Sequence, residues 1–412
     1  MPDLDRARAQ RLMTQAGLDA LILFSPEAFR HATGAGPGVA TMWRREGAVA
    51  VLIPADAALP ETAVISDLFA PAFRSVSPIA DLRETPIWVE ALTMEHPESN
   101  APARAQFAPL WQGKDRPAGN RRPETFDALH CYRHLRDGLT EKGLMRGRIG
   151  VELEAVSARG FPALVEALAP ATLIDATEVA KGLRAVKSAT EIAHLRAAVG
   201  LAEQGIAAVR AAITPGVTQS GLSAIWRETI ARLGPGSGLT GAWDYISVGP
   251  DPWGGDATAL RGDLVKVDVG CLVAGYTSDS GRTFVLGPPS RLQSGVWDAL
   301  RAGFEAGLPL LTPGTPLAEV HRVTEAAIRA RGLDGYTRGH FGHSLGTGPG
   351  SEEWPFISAS ATALVEAGMV LAFECPFYIK GLGGMILEDQ IEITESGPVP
   401  MNRFPRDLGV CG

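Results

Sequence analysis

The feature that most constrains this chain is an internal repeat. The segment ITPGVTQSGLSAIWRETIARLG (213–234) resembles LTPGTPLAEVHRVTEAAIRARG (311–332). Each opens on an apolar residue followed by Thr-Pro-Gly and runs on with the apolar period of an amphipathic helix. A β-rich segment bearing two carboxylates comes after each copy: Asp268 and Asp279 after the first, Glu374 and Glu388 after the second. Two copies of a helix-plus-hairpin unit predict two halves related by a pseudo-twofold axis, with the four carboxylates converging on the seam. With 30 prolines and 47 glycines in the chain, Thr-Pro-Gly alone is a weak match, and the downstream hairpins carry the argument.

The carboxylates sit in unusual company. In LVKVDV (264–269), Val265, Val267 and Val269 alternate with Lys266 and Asp268, the pattern of a strand with Asp268 on the face opposite the valines. A carboxylate inside a buried strand is costly unless it is paired or metal-bound. Asp279 follows a Gly275-Tyr276 return, so a hairpin can bring it back to Asp268; two surface acids beside a turn are the alternative. Glu374 follows the apolar run Met369 to Phe373, and Glu388 follows Met385-Ile386-Leu387. Asp389 is the weaker candidate, because alternation sends it to the other face. Within RGHFGHSLGTGPG (338–350), whose five glycines permit close backbone approach, His343 can supply a neutral imidazole. Four carboxylates and one imidazole suit Mn²⁺, Zn²⁺, Fe²⁺ or Co²⁺ better than a soft, thiolate-preferring metal.

The first part of the chain reads as alternating helix and strand: a helix at 5–16, strands at 18–24, 47–54 and 62–67, a proline-rich loop at 97–123, a helix from Pro123, then a strand at 148–152, a helix at 158–168 and a strand at 172–177. Ser188 with Glu191 three residues on forms a capping-box pattern. It opens a long helix and places a domain boundary near residue 185, giving domains 1–184 and 185–412. A length of 412 residues also predicts two domains. The net charge of −8 argues against a nucleic-acid or anionic-membrane partner. No apolar run is long enough to span a bilayer, and the charged N-terminus lacks a signal-peptide core. Four scattered cysteines, Cys131, Cys271, Cys375 and Cys411, lack metal or redox spacing and fit a reduced cytoplasmic setting.

These residues resemble the creatinase/aminopeptidase P/methionine aminopeptidase superfamily, the pita-bread metallohydrolases. DRARAQRLMTQAGLDALILFSP is similar to the opening of its creatinase-type N-terminal domain, and GLRAVKSATEIAHLRAA to the join with the catalytic domain. VDVGCLVAGYTSDSGRTF carries the two-aspartate hairpin with an eleven-residue step, GHSLG the metal histidine, and FECP and ILED the two glutamates. The resemblance implies an α+β fold: a creatinase-like α/β domain followed by a pita-bread domain. It also implies two divalent ions bridged by Asp279 and Glu388, with Asp268 on one metal and His343 and Glu374 on the other. A metal-bridging water is then the nucleophile, with Glu374 as its general base. Hydrolysis of a short peptide, in the manner of an Xaa-Pro dipeptidase or aminopeptidase, and a homodimer follow from the same resemblance.

Three departures bear on the substrate. Proline-specific relatives carry an auxiliary histidine upstream of the first aspartate, in the segment corresponding to 247–263, and another about seven residues after the metal histidine; this chain has neither. The arginine two residues before the last glutamate is replaced by Ile386. His340 is the candidate stand-in as a catalytic group. Trp253, Glu353 and Trp354 occupy the flanking loops, where an indole and a carboxylate can recognise a cationic group. The competing readings are a small non-peptide substrate, met by a C–N hydrolase or a dimethylsulfoniopropionate-type lyase, and a non-catalytic binding module. Gly270, where the lyases carry an aspartate, weighs against the lyase, and five filled ligand positions weigh against a binding module.

Overall fold

The computed structural model describes residues 2–90, 92–112, 122–348 and 352–412. The chain divides into two compact units, Met1–Leu183 and Arg184–Gly412.

The first unit is built on a six-stranded sheet. Its strands are β1 (Ala20–Leu23), β2 (Ala50–Pro54), β3 (Thr62–Ser66), β4 (Asp81–Thr85), β5 (Arg148–Val151) and β6 (Thr172–Asp175), in the order β4-β3-β2-β1-β5-β6. Leu21, Leu23, Val51 and Ile53 face one apolar cluster, while Ala20, Ile22 and Leu52 face another. Burial on both faces explains why β1 and β2 read as unbroken apolar runs. Strand β4, with the sequence DLRET, is charged and lies at the sheet edge, so no apolar alternation announces it. The expected proline-rich loop contains a helix, Ala103–Trp111, and residues 113–121 of that loop lie outside the described residues. The helix expected from Pro123 begins at Ala128, where the Asp127 carboxylate accepts the Leu129 N–H.

In the second unit both bonds of the capping box are made: the Glu191 N–H donates to Ser188 Oγ at 3.1 Å, and the Ser188 N–H donates to Glu191 Oε2 at 2.7 Å. They open the helix Ala189–Ala212. The repeat then appears bond by bond. Gly216 and Gly314 both adopt φ +90°, a turn that residues with a Cβ resist. The Gly216 N–H donates to Ala259 O and the Gly314 N–H to Val365 O, each at 2.9 Å. The Ala259 N–H returns to Val217 O as the Val365 N–H returns to Thr315 O, and Gln219 and Leu317 donate to Ala257 O and Ala363 O. A long helix precedes each turn, Ala189–Ala212 in one half and Arg291–Gly307 in the other, and a second helix follows each, Gln219–Leu233 and Leu317–Arg329. A Cβ on Gly205 would meet Trp226 at 2.3 Å and a Cβ on Gly303 would meet Ile328 at 2.4 Å, so a glycine lets the two helices close on one another in each half.

Among the described residues, eleven strands form the sheet of this unit: β7 (Leu239–Asp244), β8 (Ser247–Val248), β9 (Leu264–Val273), β10 (Tyr276–Thr277), β11 (Ser280–Leu286), β12 (His340–Ser344), β13 (Glu353–Ser358), β14 (Val370–Ile379), β15 (Gly383–Thr394), β16 (Gly397–Pro400) and β17 (Gly409–Cys411). The hairpins β9–β11 and β14–β15 are antiparallel, and they meet where β11 pairs β15. One face of the sheet is covered by the helices. Val265, Val267 and Val269 pack with Leu222, Trp226 and Ile230, while Leu371, Phe373 and Cys375 pack with Phe304, Val320 and Ile328. The fold is α+β with the pita-bread arrangement of two repeated halves, and the opposite face of the hairpins is left for polar chemistry.

Candidate metal centre

Side-chain alternation and strand register assemble the site. Across β9, β11, β15 and β14, Asp268 lies opposite Gly281, Gly281 opposite Glu388, and Glu388 opposite Glu374. Asp279 stands two residues before Gly281, and His343 pairs with Ala372, two residues before Glu374, so all five candidates share one face. Gly281 lets the neighbouring side chains close over the centre of the row: a Cβ there would lie 2.8 Å from Glu388 Oε2 and from Ile386. Asp389 turns away as alternation requires, with Oδ1 taking Arg282 Nη2 at 2.7 Å and Oδ2 taking Arg406 Nη2 at 2.6 Å.

Three of the five form a tight cluster. Asp279, His343 and Glu388 each offer a ligand atom within 4.8 Å of the others, and all three are buried. His343 Nδ1 lies 3.0 Å from Ser344 O, the contact of an Nδ1–H donor, which leaves the Nε2 lone pair for the cluster. Nε2 is 3.6 Å from Asp279 Oδ2. Asp279 Oδ1 and Glu388 Oε2 are buried with no hydrogen-bond partner. Burial, then the neighbouring carboxylates, push both acids well above the usual carboxylate range. Two buried oxygens without a hydrogen-bond partner beside an imidazole lone pair form a donor set that a hard or borderline divalent ion fits.

The other two acids are answered by protein cations. Lys266 Nζ donates to Asp268 Oδ2 at 2.9 Å, and Arg338 Nη2 donates to Glu374 Oε1 at 2.7 Å. Burial opposes the charge of Lys266, but Asp268 overcomes it and holds the ammonium above its ordinary pKa; Glu374 does the same for Arg338. Burial raises Asp268, and Lys266 opposes that rise. Neither cation was among the candidate site residues. Lys266 was readable, since a lysine two residues before Asp268 shares its face. Arg338 reaches Glu374 through the fold, and nothing in its local sequence marks it.

His340 faces the site, with Nδ1 3.7 Å from Glu374 Oε1 and Nε2 3.9 Å from Glu352 Oε2. Burial lowers its pKa, and Glu374 opposes that shift. Trp253 is 69% exposed, with its ring 6.5 Å from that of Tyr378, which Lys266 Nζ overlies at 5.4 Å. Glu353 is committed to Arg184 Nη1 at 3.2 Å, and Trp354 packs against the core of the unit. Of these two residues, one is thus ion-paired and the other in contact with the core. Residues 349–351, between the histidine motif and Glu352, lie outside the described residues.

The profile of metallopeptidase family M24 matches residues 193–395. The chain is 31% identical over 236 residues to the Xaa-Pro dipeptidase of Pyrococcus furiosus, covering 56% of this chain and 67% of that relative. It is 29% identical over 269 residues to the uncharacterized peptidase YqhT of Bacillus subtilis, covering 63% of this chain and 74% of the relative. The crystal structure of dipeptidase PepE from Mycobacterium ulcerans superposes with a TM-score of 0.75 at 26% identity, covering 98% of this chain and 96% of that one.

Proposed function

The chain belongs to metallopeptidase family M24 and is a metallohydrolase, and from that premise we propose that it hydrolyses short peptides at a centre organised by Asp279, His343 and Glu388. The observation that carries the reading is the pair of orphaned oxygens, Asp279 Oδ1 and Glu388 Oε2, buried beside the imidazole of His343. Mn²⁺, Zn²⁺, Fe²⁺ or Co²⁺ suits that donor set; when bound, such an ion supplies Lewis-acid polarisation of a carbonyl and acidifies water.

The chain's own residues supply the rest. Glu374 Oε1 is held by Arg338, leaving Oε2 to take a proton from water and return it to the leaving amine. His340, beside Glu374 and partly exposed, is positioned to donate to the peptide carbonyl as negative charge develops. Trp253 beside Tyr378 offers an apolar wall. Free, buried thiols at Cys131, Cys271, Cys375 and Cys411 accord with work in the cytoplasm. A homodimer completes the reading, from the resemblance alone.

The test is metal analysis of the purified protein followed by a turnover screen with dipeptides, Xaa-Pro peptides and small non-peptide amides, each with and without chelator. Chelator-sensitive cleavage of dipeptides is expected. Turnover confined to the non-peptide amides would replace the peptidase reading.

A further inference from the structure

The five acid and histidine side chains are unevenly served. Asp279, His343 and Glu388 turn toward one another with two carboxylate oxygens unpartnered, whereas Asp268 and Glu374 each accept from a cation supplied by the chain. We propose that this centre holds one tightly bound divalent ion, at Asp279, His343 and Glu388, and that Lys266 and Arg338 take the place of a second. The inference rests on the metal reading above and departs from the two ions that the family resemblance implies.

Charge balance is the first argument. Asp268, Asp279, Glu374 and Glu388 contribute four negative charges, Lys266 and Arg338 two positive ones, and a single divalent ion closes the balance. A second divalent ion would leave the buried cluster with an excess of two positive charges, in surroundings that screen charge poorly.

Geometry is the second. The side chain of Lys266 is 7% exposed, and Asp268, on the same face of the same strand, is its carboxylate partner. Its other neighbour, the ring of Tyr378, cannot replace a carboxylate. An ion that claimed Asp268 would make one carboxylate serve both a buried ammonium and a dication set beside it. At Glu374, the Arg338 guanidinium is anchored on its far side by an Nε–H bond to His340 O at 2.7 Å, which aims Nη2 at the carboxylate. Three protein ligands with further positions open is also the arrangement of mononuclear hydrolytic metal sites.

The test counts ions. Protein stripped with chelator is titrated with Mn²⁺ in a calorimeter, bound metal is measured by mass spectrometry after gel filtration, and the Mn²⁺ spin-resonance spectrum is recorded. One ion per chain and the six-line spectrum of an isolated Mn²⁺ are expected. Lys266→Met, which keeps the length of the side chain and removes its charge, is expected to tighten a second site at least tenfold and to produce the spectrum of a coupled pair. Arg338→Met is the second variant and moves the count in the same direction. Two ions in the unaltered protein with dissociation constants within tenfold of each other would overturn the inference and leave the metal reading standing. So would a count still at one in both folded variants. No bound ion at all would overturn the metal reading itself, and the inference with it.

Discussion

Glu374 and Glu388 lie directly opposite one another on adjacent strands, β14 and β15, and both are buried. Like charges in that relation are destabilising; Arg338 answers Glu374, while Glu388 keeps a buried oxygen with no hydrogen-bond partner.

That arrangement makes metal binding the first prediction. Asp279→Asn and Glu388→Gln each keep the side-chain shape while removing a ligand charge, so bound metal measured by mass spectrometry falls to background and turnover is lost. In the chelated protein the same variants are expected to melt no lower than the unaltered chain, because each removes an uncompensated buried carboxylate. Full metal occupancy in either variant would remove it from the ligand set.

Glu374 is predicted to act in the chemistry. Glu374→Gln can still accept from Arg338 but has no carboxylate to take a proton, so kcat should fall by roughly 100-fold or more. Steady-state kinetics on metal-loaded protein, with the metal content confirmed, decides it. A kcat close to that of the unaltered enzyme would rule out the base role.

Substrate preference follows from what is missing as well as what is present. The two auxiliary histidines and the arginine of prolyl-specific relatives are absent, and Ile386 packs where the arginine would stand. We expect kcat/KM on Ala-Pro and Gly-Pro well below about 10⁴ M⁻¹s⁻¹, the lower range of ordinary enzymes. Trp253→Ala should raise KM for the true substrate without altering the melting temperature, since the indole is 69% exposed. Trp354→Ala should do the reverse, lowering stability by about 2 kcal/mol, less than a fully buried aromatic costs, because its ring packs on the core. Efficient Xaa-Pro cleavage would mean that His340 and Arg338 replace the missing donors.

In the first unit Asp81 gives a pH-dependent prediction. Burial pushes its carboxyl up, but hydrogen bonds from Arg83, Thr62 and Lys142 overcome that and lower it from 3.8 to about 2. A depressed folded-state value contributes stability above the unfolded value, and that contribution is lost as the pH falls from 3.8 to about 2. Asp81→Asn should therefore lower the urea midpoint near neutrality, and the gap to the unaltered chain should close across that acid window. A gap that stays constant down to pH 2 would show that packing, not charge, is responsible.

Much of the architecture is written in local pattern. Ser188 and Glu191 announce a helix because a capping box acts over three residues. The alternation around Asp268 assigns it to the polar face of a strand because side-chain direction has a period of two. The repeated Thr-Pro-Gly is legible because a positive φ after proline calls for glycine wherever it recurs. Strand β4 escaped because a charged edge strand carries no apolar signal, and the helix Ala103–Trp111 because it leaves no residue buried and carries Pro109 inside it.

The partners of the site residues were decided by the fold alone. Register across four strands set Asp268, Gly281, Glu388 and Glu374 in one row, and register is a property of pairs of strands rather than of either one. Arg184 reached Glu353 across 169 residues of chain, and Arg338 reached Glu374 across 36. A charged side chain declares its charge in the sequence. Which opposite charge it meets depends on backbone brought together from far away, so the sequence by itself determined which groups could carry the chemistry, and the tertiary structure decided which of them are left free to hold a metal.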